Sequence, residues 1–285
     1  MGYLLTTLCR FFETLIASIA AHLSFSLAGI FFLAFPVAFS FSAYVIVILQ
    51  KQMDFTLSFA IISALLATGV LGAFFAYAYT KISNDSYAVL TLASLMAFDA
   101  VVKSWDAVTG GVLGISGITR PELLQTLPQL AGALGLLAFI LLVFEHILLK
   151  THFGRLLRAH KESEDLINSL GTSSKYIGMS VIILACLLAG VSGIFAIWRI
   201  QFLDPSFGGV LLLLQILTIA ILAQKPNVFW IVFSTLFVVM IPEALRFFDL
   251  PSSLLGHMRM LLYALLIIVL IKFVAYKNSN IVRSA

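Results

Sequence analysis

Charged residues divide this chain into long apolar stretches, and the lengths of those stretches predict its elements. From Thr14 to Gln50 there is no Asp, Glu, Lys or Arg; as one helix that stretch would run about 55 Å. A bilayer core about 30 Å thick needs roughly 20 helical residues, so two membrane segments are expected. Gly29 and Pro36 mark the break, because proline lacks the amide proton of the helix ladder and disfavours helix in the residue before it. Helices are placed near residues 11–32 and 36–50. Further stretches run from Phe55 to Thr80, Leu123 to Phe144, Tyr176 to Trp198, Pro205 to Gln224, Pro226 to Ala244 and about Leu254 to Tyr276. Tyr87 to Val102 is shorter and carries Asp99, so spanning, re-entrant and buried placements all stay open. The fold class predicted is all-α, a polytopic membrane helix bundle of eight segments plus this ninth. A β-barrel is excluded by pattern, since its strands would alternate polar and apolar positions.

The loops orient the bundle. Lys150 to Lys175 is the longest polar stretch and holds Lys150, Arg155, Arg158, Lys161 and Lys175, which makes it cytoplasmic by the positive-inside rule. Counting forward, Arg199 to Pro205 falls outside, Lys225 inside, Arg246 to Ser253 outside and the Lys277 to Arg283 tail inside. Counting back, Lys103 to Thr126 falls outside, and Lys81 to Ser86 inside if the ninth segment spans. Arg10 and Glu13 give the first helix little bias. Ser18-Ile19-Ala20 resembles a signal-peptide cleavage site, but Arg10 is late and the apolar run continues past it, which suits an uncleaved helix better.

Composition agrees with the pattern. The 285 residues are 61% hydrophobic and 11% charged, with mean hydropathy +1.10, where soluble domains carry about a quarter charged residues. A cytosolic enzyme, a secreted disulfide scaffold and a disordered tail are excluded together. The net charge of +4 comes from Lys and Arg scattered between apolar runs, so it reads as topology control and not as a nucleic-acid surface. Cys9 and Cys186 are far apart in apolar surroundings and imply neither a disulfide framework nor a zinc site.

Candidate chemistry is sparse. There is no P-loop signature, and no cluster such as H-E-x-x-H or paired carboxylates for a membrane enzyme. The loop Thr109-Gly-Gly-Val-Leu-Gly-Ile-Ser-Gly-Ile-Thr-Arg-Pro121 is glycine-rich but falls outside, away from cellular ATP. Gly110, Gly111, Gly114 and Gly117 supply backbone freedom to an irregular connection, or the loop is a docking surface or the lining of an access path. In the cytoplasmic loop, Phe153, Leu156, Leu157, Leu166, Ile167 and Leu170 recur near one helical face, with Gly171 as a helix stop. Either this element rests on the membrane surface or it is presented to a cytoplasmic partner's groove. His146, His152 and His160 lack metal-site spacing. Asp99 and Lys103 stand one turn apart and can pair; Asp99 is a structural partner or a residue of the translocation path. Glu145 reads as solvated at a cytoplasmic helix end, and Glu243 and Arg246, after Pro242, read as a structural pair. Composition leaves a transporter subunit with a separate engine, a membrane enzyme, or a secondary carrier, though no internal repeat supports the last.

Four blocks resemble the LivM-type permease subunit of the branched-chain amino acid ABC importers. Asn84-Asp-Ser-Tyr-Ala-Val-Leu-Thr-Leu92, followed by Asp99, resembles the family's G-D-Y-x-A-x-x-T-L run. Ser104-Trp-Asp-Ala-Val-Thr-Gly-Gly with Gly114-Ile-Ser-Gly-Ile-Thr-Arg-Pro121 resembles its N-x-T-G-G-x-x-G-[IL]-x-x-I-P-R-P loop. Gly154-Arg-Leu-Leu-Arg-Ala-His-Lys-Glu-Ser-Glu164 through Leu170-Gly171 resembles its coupling segment, and Pro242-Glu-Ala-Leu-Arg246 its P-E-x-x-R.

The resemblance implies a single transmembrane permease domain over residues 1–285, with a coupling segment at 150–175. It implies an inner-membrane subunit of a prokaryote that pairs with a second homologous permease, two cytoplasmic ATPase subunits and an extracytoplasmic solute-binding protein. The chain would be no enzyme and hold no cofactor, metal or nucleic acid, with ATP bound by the partners. Phe153, Gly154, Arg155, Leu157, Arg158, Glu164 and Gly171 would meet the ATPase. Trp105, Thr109, Gly110, Gly111, Gly114, Ser116, Gly117, Arg120 and Pro121 would receive the binding protein or line the access path. An ATP-independent channel or secondary transporter is the alternative. Members commonly carry one more amino-terminal helix, a glycine-histidine turn where this chain has Phe31 to Phe39, and a G-G-x-G loop where it has Ala223-Gln-Lys-Pro-Asn227; Thr119 replaces a proline. Branched-chain amino acids and related small polar solutes are the expected cargo.

Overall fold

Small residues set the centre of the bundle. In the computed structural model, which describes residues 2–163, 167–168, 171–245, 256–270 and 272, Ser42 Oγ donates to the Gly190 carbonyl at 2.7 Å and the Phe39 carbonyl at 3.0 Å. A Cβ on Gly190 would stand 2.9 Å from Thr68 Cγ2, and one on Gly72 2.9 Å from Cys186 Cβ. Helices pack closely in a membrane by such van der Waals approach, because lipid offers no hydrophobic drive between them.

The elements are α1 (Gly2–Ala21), extended by a π-helical turn His22–Leu27, α2 (Phe35–Lys51), α3 (Leu57–Tyr79), α4 (Asn84–Ser104), the short α5 (Asp106–Thr109), α6 (Leu127–Lys150), α7 (His152–Glu162), α8 (Ser174–Ile200), α9 (Val210–Leu222), α10 (Val228–Leu245) and α11 (Gly256–Leu270). A two-residue antiparallel pair, β1 (Ile115–Ser116) with β2 (Phe202–Leu203), places Ile115 opposite Leu203. Among the described residues, five helices are long and apolar enough to cross a membrane and four are shorter apolar ones. This is an all-α polytopic membrane bundle. α1, α2 and α8 form its core with α3 against them, whereas α4 and α6 turn most of their side chains outward.

Contacts place helix ends on sides. The foot of α1 meets α7, since His160 Nδ1 donates to the Ala28 carbonyl at 2.7 Å. The far end of α2 meets α5 and the loop after it, where Gln52 Nε2 donates to the Val108 carbonyl at 2.8 Å and Lys51 bonds the Ser116 carbonyl. The chain alternates between these sides as the charge count predicts, with the first residues on the side opposite α7. The break between α1 and α2 falls where expected: Gly29 takes φ +72°, and Pro36 occupies the first turn of α2, where its missing amide costs nothing.

Two boundaries differ from expectation, and one placement left open is resolved. α1 with its π-helical turn runs from Gly2 to Leu27, not over 11–32. The ninth segment is one 21-residue helix, α4, capped by Ser83 and joining the two sides. α9 has only 13 residues, about 20 Å, and does not fill the predicted Pro205 to Gln224 span. The chain after β2 descends into the bundle before α9 starts, and a Cβ on Gly208 would meet Ser40 and the Pro36 carbonyl. Leu166, Leu170 and Arg246, the 246–253 connection and the 277–283 tail lie outside the described residues.

Candidate functional site

α7 is held by its neighbours on one face and free on the other. Thr151 caps it, accepting from the Gly154 amide at 3.4 Å. Gly154 lets it close on α6, for a Cβ there would stand 2.8 Å from Leu149 Cα. Leu157 is fully buried, as is Ile167 beyond the helix, so the chain's own bundle takes up part of the apolar face expected to enter a partner's groove. Arg155 faces outward, and Phe153 and Arg158 are half-buried. Gly171 takes φ +78°, as a helix stop requires; Glu164 lies outside the described residues.

The buried face of α7 grips the end of α1. His160 donates through Nδ1 to Ala28, which leaves Nε2 to accept from Tyr79 Oη at 3.2 Å. Lys161 Nζ donates to the Ser26 carbonyl at 2.9 Å, and burial pulls its pKa below the ordinary 10.5. Gly29 passes beneath α7, with room for no side chain: a Cβ would come 3.2 Å from Lys161 Cα. Ser26 Oγ donates on to the Ala220 carbonyl of α9 at 2.8 Å. One helical turn therefore ties α7, α1, α3 and α9 together.

About one turn further back along α1, His22 Nδ1 meets Glu145 Oε1 of α6, both side chains fully buried, while His22 Nε2 faces the Lys225 carbonyl at 3.3 Å. The expectation that Glu145 is solvated is corrected by this pairing. A helix-end position looks wet in sequence, but here α1 covers it. Towards the other end of α1, Glu13 accepts from Arg199 Nε at 2.9 and 2.8 Å, and its backbone carbonyl accepts from Ser192 Oγ at 2.8 Å. Arg10 reaches Glu243 of α10 at 3.4 Å, and Tyr3 Oη also bonds Glu243. Tyr3 and Arg10 of α1 thus both reach Glu243, and the expected partner Arg246 lies outside the described residues.

The outer platform is built from the glycine loop. Gly110, Gly111, Gly114 and Gly117 all take positive φ, between +52° and +73°, the left-handed region that side chains disfavour. Thr109 Oγ1 donates to the Val102 carbonyl at 2.6 Å. Arg120 caps α8, donating to the carbonyls of Trp198 at 2.7 Å and Arg199 at 3.2 Å. Lys51 bonds the Ser116 carbonyl. Trp105, Ser116 and Gly117 are exposed and Arg120 and Pro121 half-buried. Val112 and Leu113 at the loop tip are the most exposed apolar side chains of this platform, at 74% and 86%; sequence reading missed them because apolar residues in an apolar chain carry no contrast. Asp99 pairs with Lys103 at 2.6 Å beside a cavity of about 660 Å³ between α4, the Asp204–Val210 turn and Met260.

The described residues form a multi-pass helical membrane protein with a tethered helix on one side and a braced loop platform on the other. The chain belongs to the branched-chain amino acid transport system permease component family, whose model matches residues 3–271. Comparison with curated proteins and with solved structures gives no match.

Proposed function

We propose that the chain is one of two membrane subunits of an ABC importer in a prokaryotic inner membrane, bringing in branched-chain amino acids or related small polar solutes. A second homologous permease completes the pathway, two cytoplasmic ATPase subunits supply the energy, and an extracytoplasmic binding protein delivers the solute to the Trp105–Pro121 platform. The chain itself carries out no ATP chemistry and needs no cofactor. The observation that carries this reading is the two-sidedness of α7. Its buried face is bonded to the end of α1 through His160 and Lys161, and Arg155 stands outward. An ATPase that pulls on the outer face would move α1 as a rigid body.

The test is co-purification of the ATPase with the tagged chain, alongside ATP-driven leucine uptake in membrane vesicles. Arg155→Glu with Arg158→Glu is expected to reduce both at least tenfold. Unchanged association and uptake would remove the coupling role, and uptake that persists without ATP would favour a channel or secondary carrier.

A further inference from the structure

The outer half of α1 borders a polar cleft within this single chain. It opens between α1, α8 and α9, with space of about 120 Å³. One buried water needs only about 10–15 Å³ measured this way, so the cleft is the size of a small molecule. Its lining carries both signs of charge, in Arg10, Glu13 and Arg199. It also includes Phe39 and Phe207, whose rings lie stacked at 4.9 Å. Gln215, 6% exposed, lines the cleft too, and its amide Nε2 has no hydrogen-bond partner among the described residues. Ile200, at the end of α8 and 43% exposed, completes the lining named here.

Packing alone does not account for this set. A buried amide donor left unpaired is costly where a leucine of similar shape would not be. The Arg10 guanidinium has five donors and reaches Glu243 only at 3.4 Å, so it has donors to offer. Glu13 uses its two oxygens on a single Arg199 nitrogen, while a carboxylate has about four acceptor positions. Resting on the transport reading above, we propose that this cleft binds an aliphatic amino acid as its zwitterion. Arg10 and the Gln215 amide donate to the carboxylate, Glu13 accepts from the ammonium, and the side chain lies against Phe39 and Phe207. The site is thus internal to one permease chain. It sits on the helix whose other end carries α7, so an occupied cleft and the coupling helix share one rigid element.

The experiment is equilibrium binding of radiolabelled leucine to the purified full-length chain in lipid nanodiscs. Gln215→Leu is expected to weaken binding at least tenfold, with an unchanged gel-filtration profile. On the wild-type chain, leucinamide, which lacks the carboxylate, and 4-methylpentanoate, which lacks the ammonium, are each expected to compete at least tenfold more weakly than leucine. Absence of leucine binding, or analogues that compete equally, overturns the site; the competition arm stands even if the variant misfolds. ATP-driven leucine uptake in vesicles from the same cells separates the two ideas. Uptake without binding loses only the cleft, whereas vesicles that take up no leucine lose the transport reading on which it rests.

Discussion

α1 carries two buried ionic pairs, and they are built differently. In its outer half, Glu13 meets Arg199 with side chains 5% and 16% exposed, beside the cleft. Near its inner end, His22 meets Glu145 with both at 0%. The outer pair is a pair with access: Arg199 and Arg10 can re-aim towards a ligand or water. The inner pair is sealed, closed by α6 on one side and the Lys225 carbonyl on the other. A sealed pair resists change, so the inner end behaves as part of the rigid clamp formed with α7, and the outer end as the adaptable one. Both lie on one helix, which is how a change at either end reaches the other.

The sharpest way to break this contrast is to remove one member of each pair. Glu145→Ala leaves His22 without its partner in a site that water does not reach, and a broken buried pair costs about 3–5 kcal/mol. We expect a large drop in the thermal-unfolding midpoint in detergent, with most of it restored in the His22→Leu, Glu145→Leu double variant. Glu13→Ala should cost less, about 1–3 kcal/mol, because Arg199 can turn into the cleft. Equal losses for the two variants would erase the distinction drawn here.

Sequence reading reached these two regions unevenly, for physical reasons. The helix break at Gly29 and Pro36 was legible because proline and positive-φ glycine act on the backbone locally. Stretch lengths gave most helices, since a membrane span is a one-dimensional constraint. Glu145 was misplaced because its partner is 123 positions away, and the pairing of Glu13 with Arg199 is 186 positions apart. For Glu13 a signal was present all the same. Glu13 sits inside a membrane helix, and a charge there is costly enough to imply a partner or a function. α9 was drawn too long because the descent after Leu203 depends on Gly208 meeting α2, which hydropathy does not register. In α7 the period showed an amphipathic helix but not what covers its apolar face. The family blocks singled out α7 and the glycine loop as candidate docking surfaces, and the cleft at Gln215 was not among them.

Gly29 tests whether the inner clamp transmits or merely holds. Alanine there must adopt φ +72°, at about 1–2 kcal/mol for a left-handed residue, and it must also push on Lys161. If the clamp transmits, Gly29→Ala lowers ATP-driven uptake severalfold while the ATPase still co-purifies, since Arg155 on the outer face is untouched. Loss of association together with uptake would mean that α7 itself had been displaced, and the separation of its two faces would be withdrawn.

Asp99 and Lys103 supply the smallest effect and a calibration for the others. They form an i,i+4 pair at 2.6 Å with side chains 34% and 42% exposed, and exposed pairs of this kind contribute about 0.3–0.5 kcal/mol. Asp99→Asn should therefore shift the unfolding midpoint far less than Glu13→Ala. Its effect on uptake decides a separate matter, because Asp99 borders the cavity beside the Asp204–Val210 turn. A residue that only braces α4 would leave leucine KM unchanged. If KM rises severalfold while the midpoint holds, Asp99 acts on the solute, and the outer half of the chain then contains two polar stations, one at the face of α4 and one inside the bundle on α1. The inner half, sealed around His22, has no comparable pair open to a ligand among the described residues, which is the asymmetry expected of a chain that meets its solute on one side and its drive on the other.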